Sequence, residues 1–223
     1  MIKPEKFIAT LKEVVKESPN VKIIKLSNKL DFIPGQFVMF SIDGVNTDKG
    51  FPIKKAYSIA SEPKKELEFC IKIEDYESFT REQINKWKVG QKFNIYGPFG
   101  NFILKDADNL VFIAAGTGIA PFISMLRFSK NKNITLFYSV RDEENLLYKE
   151  EIDKYQIKKF ITLTKENNKK YLNGRITKEL LFKNIKKDSE FYICGPNDFI
   201  IKIREYLLDL DIKKANIHVE IWG

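Results

Sequence analysis

The spacing of apolar residues changes near residue 105, and this change limits the folds that the chain can adopt. Before it, short segments with apolar residues at every second position are separated by turn residues such as Pro34-Gly35 and Gly97-Pro98. Residues 66–73 are the clearest of these segments, because four apolar side chains fall on one face. Several short strands of this kind favour a barrel or a sandwich of antiparallel strands.

After residue 108, apolar runs typical of buried strands alternate with helical segments. The run at 111–115 precedes a glycine-containing turn and a predicted helix over 121–129, and further helices are predicted over 146–155 and 197–210. Alternating strands and helices predict a parallel sheet with helices on both faces. We therefore expect two domains, residues 1–104 and residues 105–223.

Composition excludes several classes of protein. The 223 residues are 43% hydrophobic, yet no apolar run approaches the roughly 20 residues of a membrane-spanning helix. No secretory signal is visible, and the two cysteines are too few for an iron–sulfur cluster or a disulfide framework, so we expect a cytoplasmic protein without a metal site. The formal charge of +8 suits nucleic acid, an acidic protein or a phosphate-rich cofactor. Nucleic acid is disfavoured because the lysines are dispersed.

The turn Ala115-Gly116-Thr117-Gly118-Ile119-Ala120-Pro121 follows a predicted strand and opens a predicted helix. Gly116 and Gly118 permit close approach of a ligand, and the amides at the helix start favour a phosphate group. Pro121 suits the first turn, where no N–H group is needed. The turn is therefore interpreted as a phosphate site, with a tight turn that binds nothing as the alternative.

Five motifs in order resemble the ferredoxin–NADP reductase family, and the resemblance covers nearly the entire chain. They are Lys55-Ala56-Tyr57-Ser58, the segment 97–102, the turn 116–121, the segment 192–196 and the aromatic residue Trp222. The resemblance implies an antiparallel β-barrel that binds FAD, followed by a Rossmann-like α/β domain with a parallel sheet that binds NAD(P).

The resemblance also implies roles for residues of the first domain. Tyr57 would stack on the isoalloxazine ring, and the Ser58 hydroxyl would lie near flavin N5. Lys55 replaces the arginine that holds the flavin pyrophosphate in the family; it keeps the charge and lacks the bidentate fork. Other residues implied near the FAD are Cys70, Ile71, Lys72, Ser78, Phe79 and Thr80, the last three at a predicted helix start.

In the second domain, the resemblance places Thr117 and Gly118 at the pyrophosphate of NAD(P). Cys194, followed by Gly195 and Pro196, would shape the nicotinamide slot without acting as a nucleophile. Glu220 and Trp222 complete the implied catalytic set. Glu220 would be an acid near the flavin edge. Trp222 would be an aromatic cover over the flavin that moves aside for nicotinamide.

The adenosine 2′-phosphate of NADP needs several cations in one place. Arg141, Lys165 and Arg175 match three arginines of bacterial ferredoxin–NADP reductases, and Tyr171 could stack on adenine. These residues favour NADP, with NAD as the alternative, because a lysine-rich loop that is merely solvated would have the same composition.

The predicted function is that of an FAD-dependent NAD(P)H oxidoreductase that exchanges single electrons with a small acidic carrier such as ferredoxin or flavodoxin. A second hypothesis is an NAD(P)H:flavin reductase that uses free flavin. A third is an electron-transfer subunit of a larger complex; subunits of that kind usually carry a further cysteine cluster, which is absent from this sequence. A basic nucleic-acid-binding module is the fourth and least favoured.

Overall fold

The computed structural model of the protein describes residues 2–46, 52–73, 86–129, 132–167 and 169–221. The chain divides into two compact units. The first comprises Met1–Leu104 and Ile123–Phe128, and the second comprises Lys105–Phe122 and Ser129–Gly223. The assignment of residues 1–104 to FAD and 105–223 to NAD(P) stays a prediction.

The first unit contains a six-stranded antiparallel sheet in the order β4-β3-β6-β1-β2-β5. The strands are β1 (Glu5–Ser18), β2 (Val21–Lys29), β3 (Phe37–Asn46), β4 (Pro52–Ser58), β5 (Glu66–Lys72) and β6 (Lys92–Phe99). Directly after β4, Ile59 forms an antiparallel bridge with Phe69 of β5. The two terminal strands of the sheet therefore meet, and the predicted antiparallel barrel is confirmed.

Aromatic side chains fill the centre of this barrel. Phe40 lies edge-on to Phe69 at 4.7 Å between ring centroids and tilted against Phe93 at 5.7 Å, and all three side chains are buried. Edge-to-face packing of this kind stabilises a core beyond the area that it buries. The same Phe40 ring also contacts Tyr57 edge-on at 5.2 Å, so the core anchors a residue of the predicted flavin motif.

The second unit contains a six-stranded parallel sheet in the order β10-β9-β8-β7-β11-β12. Its strands are β7 (Asn109–Ala115), β8 (Asn133–Val140), β9 (Lys158–Leu163), β10 (Leu172–Asn173), β11 (Glu190–Gly195) and β12 (Ile217–Ile221). Its described helices are α1 (Ala120–Phe128, which continues into the first unit), α2 (Lys149–Lys154), α3 (Lys178–Asn184) and α4 (Asn197–Asp209).

Helices cover both faces of this sheet, as predicted. Ile113 of β7 packs in one cluster with Leu181 of α3 and Ile203 of α4. The adjacent Phe112, which points to the opposite face, stacks on Phe122 of α1 at 5.0 Å. From β7 the chain continues to β8 on one side, whereas β11 pairs on the other side. The carboxyl ends of β7 and β11 therefore form the topological switch point at which such sheets bind ligands.

The predicted helix over 146–155 is wrong in its first turn. Tyr148 has a left-handed φ of 54°, which a right-handed helix cannot include, and α2 starts only at Lys149. Before the predicted segment, residues Glu143–Asn145 form a 3₁₀ turn, in which the carboxylate of Asp142 accepts a hydrogen bond from the Asn145 N–H at 3.0 Å. Within the described residues, no helix has both the length and the apolar character needed to cross a membrane.

Candidate functional site

Strand β4 presents the residues of the predicted flavin motif. Tyr57 and Ser58 pair with Val38 and Phe37 of β3. The Tyr57 ring is half-buried, Ser58 is only 8% exposed, and Lys55 is exposed. A half-buried aromatic ring held edge-on by the core, followed by a serine and preceded two residues earlier by an exposed lysine, fits the ring and the phosphates of FAD.

Strand β5 supplies the next three predicted residues. Ile71 is wholly buried in the barrel core, so its side chain cannot reach a ligand and only its main chain could contribute to FAD binding. Burial raises the pKa of the Cys70 thiol well above its ordinary value, which keeps the thiol protonated. Lys72 is exposed and available to an anion. Four other predicted residues lie outside the described part of the chain: Ser78, Phe79, Thr80 and Trp222.

The glycine turn after β7 has open space beside its main chain. Gly116 has a φ of 53°, and a Cβ placed there would meet no atom within 4 Å, so the space above it is open. Residues Gly116–Ile119 form a 3₁₀ turn that leads into α1, where Pro121 is buried, and no side chain of the described residues caps its start. The amides of this turn, including that of half-buried Thr117, can therefore face an anion.

Tyr138 of β8 fixes the same turn, because its hydroxyl donates to the Gly116 carbonyl oxygen at 3.0 Å. Sequence analysis did not identify Tyr138 as a site residue. No local signal could have done so, since the contact depends on the pairing of β8 with β7.

The turns after β7 and β11 lie against each other at the switch point. A Cβ on Gly118 would lie 2.4 Å from the carbonyl oxygen of Cys194, and a Cβ on Gly195 would lie 2.9 Å from the Cβ of Ala115. Both distances are too short for a side chain, so glycine is required at these two positions. Pro196 follows as the exposed residue that precedes α4.

Cys194 and Glu220 are neighbours in the pairing of β11 with β12. The Cys194 side chain is wholly buried, in keeping with a role in shape and not in nucleophilic attack. Glu220 is half-buried, and this burial raises the pKa of its carboxyl to about 7. A carboxyl with that pKa can both hold and release a proton near neutral pH.

His218, on the same strand as Glu220, is held by side chains of β11. Its Nε2 lies 2.5 Å from Oε2 of Glu190, and its ring packs against Tyr192 at 4.7 Å between centroids. Burial raises the pKa of Tyr192 to about 12, and the Tyr192 hydroxyl accepts a hydrogen bond from the main-chain N–H of Lys105 at 2.9 Å. These contacts are consistent with a structural role for His218 in the packing of the second unit.

Cations lie at the carboxyl ends of β8 and β9. The main-chain N–H of Lys165 donates to the carbonyl oxygen of Arg141 at 2.8 Å, which holds these two residues side by side. The segment that leads from β10 to Arg175 is held against β9 by the Gly174 N–H, which donates to the carbonyl oxygen of Leu163 at 2.7 Å. Arg141, Lys165 and Arg175 are exposed, and within the described ranges none of the three forms an ion pair. Three uncompensated cations fit a phosphate group.

Tyr171, the predicted partner of adenine, is half-buried. The ammonium of Lys170 lies 5.1 Å from the centroid of its ring, as in a cation–π contact. The ring is therefore already engaged by a cation, and stacking on adenine stays a prediction.

Comparison with known proteins identifies both halves of the chain. Residues 8–103 match the family described as oxidoreductase FAD-binding domain, and residues 112–205 match the family described as oxidoreductase NAD-binding domain. The two matches follow each other in the order that the sequence motifs predict. They confirm the predicted cofactor classes and the predicted class of flavoprotein oxidoreductase.

Curated relatives share part of their length with this chain. One subunit of the Na(+)-translocating NADH-quinone reductase of Pseudomonas aeruginosa is 31% identical over 198 residues, which are 76% of this chain and 48% of that protein. The probable electron transfer subunit of dihydroorotate dehydrogenase B (NAD(+)) of Pyrococcus horikoshii is 29% identical over 200 residues, covering 89% of this chain and 73% of the relative. The chain thus spans about half the length of the first of these relatives.

Solved structures with the same fold include two whose whole chains align with this one. The FAD/NAD-binding domain of a nitric oxide dioxygenase from Vibrio cholerae superposes with a TM-score of 0.86 at 24% identity, covering 97% of this chain and 98% of that one. A ferredoxin NADP+ reductase from Neisseria gonorrhoeae superposes with a TM-score of 0.84 at 22% identity and the same coverage. From the two domain matches, we conclude that the chain belongs to the oxidoreductases that join an FAD-binding domain to an NAD-binding domain, and the solved structures show that it shares its fold with the ferredoxin NADP+ reductase.

Proposed function

We propose that the chain is an NAD(P)H-dependent flavoprotein reductase that delivers electrons singly to a small acidic protein carrier such as ferredoxin or flavodoxin. The observation that carries this proposal is the succession on β4 of Tyr57, whose side chain is half-buried, and Ser58, which is 8% exposed. When bound there, FAD would supply a hydride acceptor at N5 and a route from two-electron to one-electron transfer.

The residues of the first unit would bind and orient the flavin. Tyr57 would cover one face of the ring and exclude water from it. The Ser58 hydroxyl would hold a hydrogen bond at the reacting edge, where an interaction that strengthens in the transition state raises the rate. Lys55 and Lys72 would offset the charge of the pyrophosphate.

In the second unit, Glu220 would hold a proton near the flavin edge, which its pKa of about 7 permits at neutral pH. Cys194, with Gly195 and Pro196, would bound the nicotinamide slot. Trp222 as a movable cover over the flavin stays a prediction, because that residue lies outside the described ranges.

We propose NADPH as the preferred nucleotide because Arg141, Lys165 and Arg175 are exposed at the edge of the sheet that binds nucleotides and have no described ion pairs. The names of the curated relatives specify NADH or NAD(+), so NAD is the alternative. The ratio of kcat/KM for NADPH and NADH decides between them, and a ratio below one would contradict the proposal.

The absorption spectrum of the purified protein is the first test of the whole proposal. A yellow protein with one FAD per chain that reduces ferredoxin or flavodoxin supports it, and the rate should fall with salt because the chain carries a net charge of +8. A colourless protein that reduces added flavin contradicts it and supports the free-flavin reductase.

An electron-transfer subunit of a larger complex is a second candidate. It is supported by the relatives, because two of those named above are a subunit of NADH-quinone reductase and an electron transfer subunit. Size-exclusion chromatography of the native protein tests it. Co-elution with a catalytic subunit that accepts electrons from NAD(P)H through this chain would favour this candidate over a free carrier.

A further inference from the structure

Two side chains of α1 hold the main chain that follows the flavin motif. The Ser124 hydroxyl donates to the carbonyl oxygen of Ser61 at 2.6 Å, and Nη1 of Arg127 donates to the carbonyl oxygen of Ala60 at 2.9 Å. Ser124 and Arg127 belong to Ile123–Phe128, the part of α1 in the first unit, so these contacts lie within that unit. Both acceptors are within three residues of Ser58.

Arg127 also forms an ion pair within the barrel wall. The same Nη1 lies 3.0 Å from Oε1 of Glu68, a carboxylate on β5 that is only 7% exposed. The carbonyl oxygen of Glu68 accepts the N–H of Ala60 at 2.8 Å, so the main chain of Ala60 is held on both sides. A buried carboxylate is costly without a cation, which makes this guanidinium a fixed part of the wall.

These hydrogen bonds restrict the main chain of residues 59–61, which orients the Ser58 side chain. The Ile59 N–H donates to the carbonyl oxygen of Gln36 at 3.1 Å, and Ile59 bridges to Phe69. Without the two side-chain donors, the carbonyl oxygens of Ala60 and Ser61 would lose their described partners. A buried carbonyl that loses its partner shifts toward water, and the shift would pass along three residues to the Ser58 hydroxyl.

We propose that Ser124 and Arg127 are positioning residues for the flavin-binding strand: their bonds to the carbonyl oxygens of Ala60 and Ser61 fix the orientation of Ser58 and Tyr57 and so set the rate of hydride transfer. The part of this inference that concerns the flavin rests on the proposed function. The part that concerns the main chain of residues 59–61 does not.

The first measurement is amide hydrogen exchange on the protein freed of flavin. Ser124→Ala should speed exchange at Ile59 and Ala60 by roughly fivefold, which corresponds to the loss of one hydrogen bond. Ser18→Ala is the matched control, because Ser18 is also a buried serine of the first unit and its hydroxyl has no hydrogen-bond partner among the described residues. Equal exchange at Ile59 and Ala60 in both variants would overturn the proposal.

The second measurement uses the FAD-loaded protein and separates positioning from stability. Ser124→Ala, and the paired change Glu68→Met with Arg127→Met, should slow flavin reduction by saturating NADPH roughly fivefold and shift the flavin absorption spectrum, with KM for NADPH unchanged. The paired change removes both charges, so no unpaired charge is left buried.

If both variants lower the melting temperature but keep the wild-type rate and spectrum, their role is merely structural and the proposal is wrong. If the wild-type protein binds no FAD while Ser124→Ala still speeds exchange at Ala60, the proposed function fails and the hold on the main chain stands. The two failures are therefore distinguishable.

Discussion

Cys194, whose side chain is wholly buried, and half-buried Glu220 lie opposite each other in the parallel pairing of β11 with β12. Burial raises the pKa of Glu220 from its ordinary 4.5 to about 7, because the charged form loses hydration that no described partner replaces. The folded protein then keeps a proton that the unfolded chain has lost between these pH values. Its free energy of unfolding should fall as pH rises from about 4.5 to about 7.

Glu220→Gln tests this effect on stability. The amide cannot ionise, so the variant should lack this part of the pH dependence and be more stable above pH 7 by on the order of 1–3 kcal/mol. Urea unfolding of both proteins from pH 5 to pH 8 measures the difference. If the two curves stay parallel across this range, the Glu220 carboxyl has an ordinary pKa.

Lys165→Glu tests the nucleotide preference. A reversed charge beside the 2′-phosphate should weaken the binding of NADPH by on the order of 2–4 kcal/mol. The KM for NADPH should therefore rise, and the KM for NADH should change little. Lys158→Glu is the control, since Lys158 is exposed at the opposite end of the same strand. Steady-state kinetics with both nucleotides decides; equal increases for NADPH and NADH would show that Lys165 is only solvated.

Ser58→Ala should leave FAD bound and slow hydride transfer by roughly tenfold, because the lost hydroxyl contact matters more in the transition state than in binding. Stopped-flow reduction by NADPH measures the rate, and fluorescence titration measures FAD affinity. Ser189→Ala, a buried serine of the other unit, is the control. An unchanged rate with unchanged FAD affinity would remove Ser58 from the site.

Gly118→Ala should destabilise the second unit and abolish nucleotide binding, because the new Cβ would lie 2.4 Å from the carbonyl oxygen of Cys194. Gly116→Ala meets open space and should cost only about 1–2 kcal/mol, the strain of its left-handed conformation. Thermal unfolding compares the two variants. A smaller loss for Gly118→Ala than for Gly116→Ala would mean that β7 and β11 separate easily at their carboxyl ends.

Local patterns in the sequence were enough to predict the architecture and the loops of the candidate site. Alternation at 66–73 predicted a barrel strand, and the glycines at 116 and 118 predicted the turn at the sheet edge, because strand periodicity and turn conformation depend on neighbouring residues. The same local reasoning failed at Tyr148, where a left-handed residue interrupts a segment with a helical pattern. It also missed β10, which has only two residues.

The sequence by itself determined two units with different apolar spacing and the residue types suited to a flavin and a nucleotide. Only the tertiary structure decided that Ile59 meets Phe69, that Gly118 lies against Cys194, and that burial shifts the pKa of Glu220. The first two are contacts between segments that are distant along the chain. The third depends on which residues cover the Glu220 side chain. Strand order and burial are set by packing of the whole unit, and no local pattern contains that information.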